Sequence, residues 1–212
     1  MGADGGTKLG FGLIFLGWST LLFLKVAPLG IIGCILMQKG LEKLSGYNKY
    51  FATAKTLCEG FLVYFVLFGL LWTLDFTGIY PFNDITNYAD DVIYRCVLVT
   101  FSFYLYKALG EISKQVGFDK GIRREKTAVS IMIVYVAFTV IKYILIPFGY
   151  AGYLQLPLVV FELLWLLYSG MYIYSCYMMI ATQEIIDEEN KKMREYDEKY
   201  SFRTPKAKKS KK

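Results

Sequence analysis

Residues 156–180 read LPLVVFELLWLLYSGMYIYSCYMMI, an apolar run of 25 residues that contains a single charged side chain, Glu162. An α-helix rises about 1.5 Å per residue, so about 20 apolar residues cross a hydrocarbon core of roughly 30 Å. Pro157 stands where the first turn of such a helix would tolerate a proline. The run therefore predicts a transmembrane helix that begins near residue 156.

The predicted helix has one stripe that is more polar than the rest. Steps of three and four residues from Glu162 lead to Trp165, Ser169, Tyr172 and Cys176. In a membrane protein the most polar stripe of a helix faces other helices or a wet cavity, not lipid. We therefore expect these residues to face the bundle, with Glu162 paired to a cation. The alternative is a site for a ligand or an ion.

The composition indicates that the whole chain is a membrane protein with several spans. Of its 212 residues, 55% are hydrophobic and 17% aromatic, and the mean hydropathy is +0.38. The apolar residues are concentrated in long runs, with further clear spans predicted at 58–74, 92–109 and 127–146. The chain has room for one helical bundle with short loops, and a separate soluble domain does not fit.

Two interpretations remain open for the apolar residues 10–37. In the preferred one, two short helices form a hairpin that turns at residues 25–28, because Pro28 suits a helix start. In the other, one tilted helix is kinked at Pro28. The predicted fold is therefore an all-α integral membrane bundle of six hydrophobic helices, the first two short, or alternatively of five spans.

Two stretches near the N-terminus carry a resemblance to known proteins. The segments GFGLIFLGW at 10–18 and PLGIIGCILMQKGLEKLSGYNKYFATAKTL at 28–57 resemble a loose group of uncharacterised multi-pass membrane proteins of Gram-positive bacteria. Those proteins begin with a short apolar helix, a break and a proline-started helix, followed by a YNKYF-like linker. The break here is shorter than in that group. The resemblance covers about the first quarter of the chain and implies no activity.

The charges of the linkers predict an orientation. Linkers 38–56 and 110–126 are basic, whereas 75–91 and 147–157 contain no Lys or Arg. Lys and Arg accumulate in the cytoplasmic loops of membrane proteins. We therefore expect both termini in the cytoplasm. The resemblance to proteins of Gram-positive bacteria implies that the membrane is the cytoplasmic membrane of a bacterium.

Three segments are expected along the chain: a transmembrane bundle at 1–182, a cytosolic charged helix at 183–200 and a disordered basic tail at 201–212. Anionic inner-leaflet lipids should attract the tail by about 1 kcal/mol per Lys or Arg near the surface. Nucleic acid is not an expected partner, because the tail lacks interleaved aromatic residues. The basic residues of the tail are Arg203, Lys206, Lys208, Lys209, Lys211 and Lys212.

Three charged residues stand inside different predicted spans: Arg95, Lys142 and Glu162. Each lies four or five residues, or about 6–8 Å, from the outer end of its helix. An unpaired charge in hydrocarbon costs at least about 2.5–3.5 kcal/mol on insertion scales. The preferred interpretation is a salt-bridged clamp, and the alternative is an outward-facing pocket for a small ion or an anionic headgroup.

The acidic linker 75–91 offers a second, weaker candidate. Its Asp84, Asn87, Asp90 and Asp91 carry the oxygen ligands that hard cations prefer. Their spacing matches no EF-hand loop, so a solvated loop is the preferred interpretation.

The chain lacks residues on which many enzymes depend. It has no His, which excludes Ser–His and Cys–His dyads and His-containing zinc sites. Its four Cys form no CxxC pair, and no Gly-rich phosphate loop occurs. We therefore expect no catalytic site, metal or cofactor and favour a non-enzymatic accessory or partner-binding membrane subunit, its partner a membrane protein. The alternative is a small transporter or channel that uses the level of Arg95, Lys142 and Glu162.

Overall fold

A computed structural model describes residues 5–21, 27–81 and 83–201 of the chain. Its regular elements are all helices, and no strand occurs in the described ranges. The helices are α1 (Gly5–Thr20), α2 (Ala27–Leu44), α3 (Lys49–Phe76), α4 (Asp84–Gln115), α5 (Asp119–Leu145) and α6 (Ala151–Ser201), with a short 3₁₀ turn at Ile146–Phe148. The prediction of an all-α fold is confirmed.

Four of the helices are long and apolar enough to cross a membrane. These candidate spans are Lys49–Phe76, Ile85–Gln115, Asp119–Phe148 and Gly152–Met179. They correspond to α3, α4, α5 and α6, and each is 28 to 31 residues long. The fold is therefore that expected of a helical membrane protein, with α1 and α2 as two shorter companions.

The six helices form a closed ring. Each helix packs against its neighbours along the chain, and α6 returns to pack against α1. Helix α4 also touches α6 across the ring. Aromatic side chains fill the space between them: Phe101 of α4 stacks on Trp18 at 6.2 Å between ring centroids and lies 6.3 Å from Phe61.

Helices α1 and α2 lie antiparallel and unusually close. Gly10 packs against Gly40, and Gly17 packs against Gly33, so that the start of α1 meets the end of α2. A methyl group on Gly17 would overlap the carbonyl oxygen of Gly33. Small residues allow helix backbones to approach in this way. Residues 5–44 thus contain two helices side by side, and the expected turn at 25–28 lies partly outside the described residues.

Asparagine side chains cap the starts of α3 and α4. Asn48 accepts hydrogen bonds from the backbone N–H groups of Tyr50 and Phe51 at 3.0 and 3.1 Å. Asn83 accepts one from the N–H of Thr86 at 2.8 Å. Such caps satisfy N–H groups that have no partner inside the helix. The Asn48 amide also donates to the carbonyl of Ala108 at 3.2 Å, which ties the start of α3 to α4.

The helices extend further into the predicted linkers than expected. Helix α4 begins at Asp84 and so takes in half of the predicted loop 75–91. Between α4 and α5 only residues 116–118 are non-helical, where a long basic linker at 110–126 was predicted. At this turn Gly117 has a φ of 67°, a conformation that glycine adopts without strain.

The start of α6 corrects another expectation. The helix begins at Ala151, so the predicted loop 147–157 is mostly helical and Pro157 lies inside the helix instead of in its first turn. A proline there removes one backbone hydrogen bond. At its other end α6 continues to Ser201 without a break, so the predicted charged segment 183–200 is helical. The predicted tail, 201–212, lies beyond the described residues except for Ser201.

Candidate functional site

The side chains of Arg95 and Glu162 meet between α4 and α6. The Arg95 Nη1 atom donates to Glu162 Oε2 at 2.9 Å, and the two side chains are only 7% and 5% exposed. Arg95 lies about three turns inside the start of α4, and Glu162 lies about three turns inside the start of α6. The structure therefore brings together two of the three charged residues that the sequence singles out.

Tyr135 of α5 joins this ion pair. Its hydroxyl accepts a hydrogen bond from Arg95 Nη1 and donates one to Glu162 Oε2, the latter at 2.8 Å. Its ring packs against the indole of Trp165 with centroids 4.8 Å apart. The hydroxyl thus links α5 to both charged groups and holds three helices at one level.

Lys142 contacts Asp91, and no ion pair between Lys142 and Glu162 occurs among the described residues. Its ammonium group donates to Asp91 Oδ2 at 3.0 Å, and the hydroxyl of Tyr143 donates to the same oxygen at 3.1 Å. The Arg95 Nε atom donates to Asp91 Oδ1, also at 3.1 Å. Asp91 therefore connects Lys142 to Arg95 and belongs to the site, although the sequence places it in an acidic loop.

Together these residues form a charge network, which we define as Lys142, Asp91, Arg95 and Glu162. The charges alternate in sign along the network and sum to zero. Arg95 is central because its two sides engage two different carboxylates, a geometry that suits the guanidinium fork. Each charge is paired inside the protein, which lowers the cost of its burial.

The predicted polar stripe of α6 lies inside the bundle. Trp165, Ser169, Tyr172 and Cys176 are all fully buried. Ser169 forms a hydrogen bond with the hydroxyl of Tyr106 on α4. Ser169 and Tyr172 therefore pack on Tyr106 of α4.

Two polar atoms of this stripe stand out. The indole Nε1 of Trp165 and the hydroxyl of Tyr172 are buried and have no hydrogen-bond partner among the described residues. Burying such a group without a partner costs free energy, and a bound water commonly supplies the missing bond. The interface between α4 and α6 is therefore polar but not fully satisfied by protein groups.

A second buried carboxylate lies at the opposite end of the bundle. Glu125 of α5 is 5% exposed and accepts a bond from the ammonium group of Lys107 on α4 at 3.0 Å. The carboxylate rests on Gly110, where even a methyl group would overlap it. The sequence gives little sign of this pair, since Glu125 stands in a charged segment that resembles a solvated linker.

The acidic residues before Arg95 contact other protein groups. The hydroxyl of Tyr64 on α3 donates to Asp90 Oδ1 at 2.7 Å, while Asp91 joins the charge network. Across the described residues, no three Cys, Asp or Glu side chains come together in a way that would hold a metal ion. The acidic segment therefore ties α3 and α5 to α4.

Comparisons with known proteins give no match: no family model, curated protein or solved structure corresponds to this chain. The class of the protein therefore rests on its fold, an all-helical ring with four helices long and apolar enough to cross a membrane. The site within that fold is the charge network that joins α4, α5 and α6.

Proposed function

We propose that the chain is a multi-pass protein of a bacterial cytoplasmic membrane that crosses the bilayer six times. It acts without catalysis, as a membrane-embedded subunit that binds a partner protein. Its charge network is a structural clamp. The observation that carries this proposal is the alternating order Lys142, Asp91, Arg95 and Glu162, in which every charge is paired within the bundle.

The ring of helices supports six crossings with both termini in the cytoplasm. Helix α1 lies antiparallel to α2, and α6 packs beside α1, which suits an up-and-down bundle. The basic residues Lys114 at the end of α4 and Lys120, Arg123 and Arg124 at the start of α5 lie at the same end of the bundle as the start of α3. The opposite connections, 77–83 and 146–150, contain no Lys or Arg. This asymmetry favours a cytoplasmic position for the basic end.

The pairing of every charge in the charge network favours a structural clamp over a site for a transported ion. A site for a transported ion would need a charge that the protein leaves available, and each carboxylate here already accepts from at least two donors. The surfaces left for function are the outer faces of the bundle and the charged end of α6. These surfaces suit contact with another protein.

A double-mutant cycle tests the clamp. Glu162→Gln removes the carboxylate charge and leaves Arg95 under-compensated, at a cost of about 3–5 kcal/mol for a buried pair. We expect a lower thermal stability in detergent. Adding Arg95→Met should restore part of the loss, because both charges are then absent. Adding Lys142→Met should not, since Lys142 contacts Asp91.

The outcome distinguishes the clamp from an ion site. Additive effects of Glu162→Gln and Arg95→Met would mean that the pair contributes no coupling and would overturn the clamp. Near-native stability of Glu162→Gln alone would assign Glu162 to a transported ion. Thermal unfolding in one detergent is compared for the unchanged protein, Glu162→Gln, Arg95→Met and the variant with both changes. The double variant with Lys142→Met is measured in the same way.

One observation favours the alternative of a small transporter or channel. The unpartnered Trp165 Nε1 belongs to a residue about one turn beyond Glu162 on α6, and the unpartnered Tyr172 hydroxyl to a residue about two turns further on. Ordered waters at these atoms would supply a polar route along the interface of α4 and α6. Proteoliposomes containing a pH-sensitive dye test this role. Proton flux that Glu162→Gln abolishes would favour the transporter over the subunit.

A further inference from the structure

A groove lies between the start of α5 and the part of α6 where the apolar run ends. It has a volume of about 460 Å³ and is lined by Phe118, Lys120, Arg124, Tyr174, Ser175 and Met178, among others. We call it the basic groove. It is separate from the charge network, which lies near the other end of the bundle.

The charged side chains that line the groove are both cationic, Lys120 and Arg124. Neither forms an ion pair with a residue whose side chain the structure describes. Arg124 donates one hydrogen bond, to the carbonyl of Met171, and its length of 3.5 Å is at the weak limit. Most of the guanidinium donors therefore remain available to an anion, and this group matches the geometry of a phosphate.

The rest of the lining is apolar or carries hydroxyl groups. Phe118 and Met178 form apolar walls, and Tyr174 and Ser175 add two hydroxyls. A soluble phosphate would gain nothing from the apolar walls. A molecule with a phosphate at one end and hydrocarbon at the other would use the cations, the hydroxyls and the apolar walls together.

The position of the groove along the helices agrees with such a molecule. The candidate span in α6 ends at Met179, so Ser175 and Met178 lie within its last turns. Lys120 and Arg124 lie in the first two turns of α5, just before its apolar residues begin. In a bilayer this level is that of the lipid headgroups, and basic pockets between helices commonly bind anionic lipids there.

We propose that the basic groove binds one anionic phospholipid, with its phosphate on Arg124 and Lys120. Its glycerol backbone lies near Ser175 and Tyr174, and an acyl chain lies against Met178 and Phe118. The inference rests on the proposed membrane insertion and concerns the leaflet on the basic side. It does not depend on whether the charge network is a clamp.

The test compares lipids on the purified full chain in a neutral detergent. Phosphatidylglycerol should raise the Tm by about 2–4 °C relative to phosphatidylcholine with the same acyl chains. The variant Lys120→Gln with Arg124→Gln should lose this difference. The matched control, Arg123→Gln with Lys126→Gln, removes the same charge from the same helix outside the groove and should keep it.

Three results would overturn the proposal. Equal loss in both double variants would show diffuse electrostatic attraction, and no loss in either would show that the groove is not involved. A comparable shift with glycerol phosphate alone would assign the groove to a soluble anion. If the double variant in the groove does not fold, two single variants replace the double variants. Arg124→Gln then removes one charge from the groove, and Arg123→Gln is its control outside the groove. The lipid assay is carried out in detergent, so its result does not depend on which way the protein is oriented in the membrane or on how many times it crosses.

Discussion

At the scale of single residues, the hydroxyl of Tyr135 is the group that Arg95 and Glu162 share. Tyr135→Phe keeps the ring on Trp165 and removes only this hydroxyl. A buried charged group that loses a hydrogen bond costs about 1–3 kcal/mol. We expect the Tm in detergent to fall by several degrees. Tyr150→Phe, at an exposed tyrosine, is the control and should leave the Tm unchanged. Equal shifts in the two variants would contradict a special role for the Tyr135 hydroxyl.

The residues of the site differ in how far the sequence reveals them. Arg95 and Glu162 are visible because a charge is rare inside an apolar run. Asp91 carries a weaker signal, as it stands four residues before Arg95 and thus on the same helical face. Tyr135 has no such signal, because its role depends on how α5 is rotated against α6. Glu125 is hidden because helix α5 begins earlier than its polar composition indicates.

At the scale of elements, the contact between α1 and α2 depends on glycine. A methyl group at Gly17 would overlap backbone atoms of α2, which cannot move aside as a flexible side chain would. We expect Gly17→Ala to destabilise the protein by about 1–3 kcal/mol, as overpacking does. Gly60→Ala is the control, since nothing lies within 4 Å of that position. It should be neutral or stabilise α3 by up to about 1 kcal/mol. Chemical or thermal unfolding gives the stability of the two variants. A Gly17→Ala variant as stable as the unchanged protein would refute the close contact between α1 and α2.

The helices themselves were predictable where apolar runs are long. The runs 58–74 and 92–109 fall inside α3 and α4, and 127–146 matches the second part of α5 to within one residue. Helix ends were not predictable from the runs, because polar residues continue a helix once it has left the hydrocarbon. The cap at Asn83 illustrates this, since it starts α4 two turns before the apolar run begins. Hydropathy therefore locates the spans, whereas capping side chains locate the ends.

At the scale of the whole molecule, labelling of single cysteines tests the proposed topology. In a variant without the four native cysteines, Gly6, Asn87 and Val116 are replaced one at a time by cysteine. A membrane-impermeant maleimide added outside cells should label only position 87. Labelling at position 6 from outside would leave α1 as a helix that does not cross. Labelling at position 116 would invert the orientation.

The C-terminal residues 203–212 give a separate prediction. Their deletion touches no apolar segment, so membrane insertion should be unchanged in a fractionation assay. The isolated charged segment should bind anionic vesicles more weakly without them, and salt should weaken the binding, because screening acts over about 10 Å at 0.1 M ionic strength. Binding that salt does not change would refute an electrostatic attraction.

Helix α6 is one uninterrupted rod from Ala151 to Ser201. At about 1.5 Å per residue it measures roughly 76 Å, more than twice the roughly 30 Å of a hydrocarbon core. The rod carries Glu162 near one end and the charged segment 183–200 near the other. A rotation imposed on the far end of α6 would therefore reach Glu162 along one continuous helix, without passing through a loop. The charge network would resist this rotation of α6, and its strength would set how much torque the bundle can withstand.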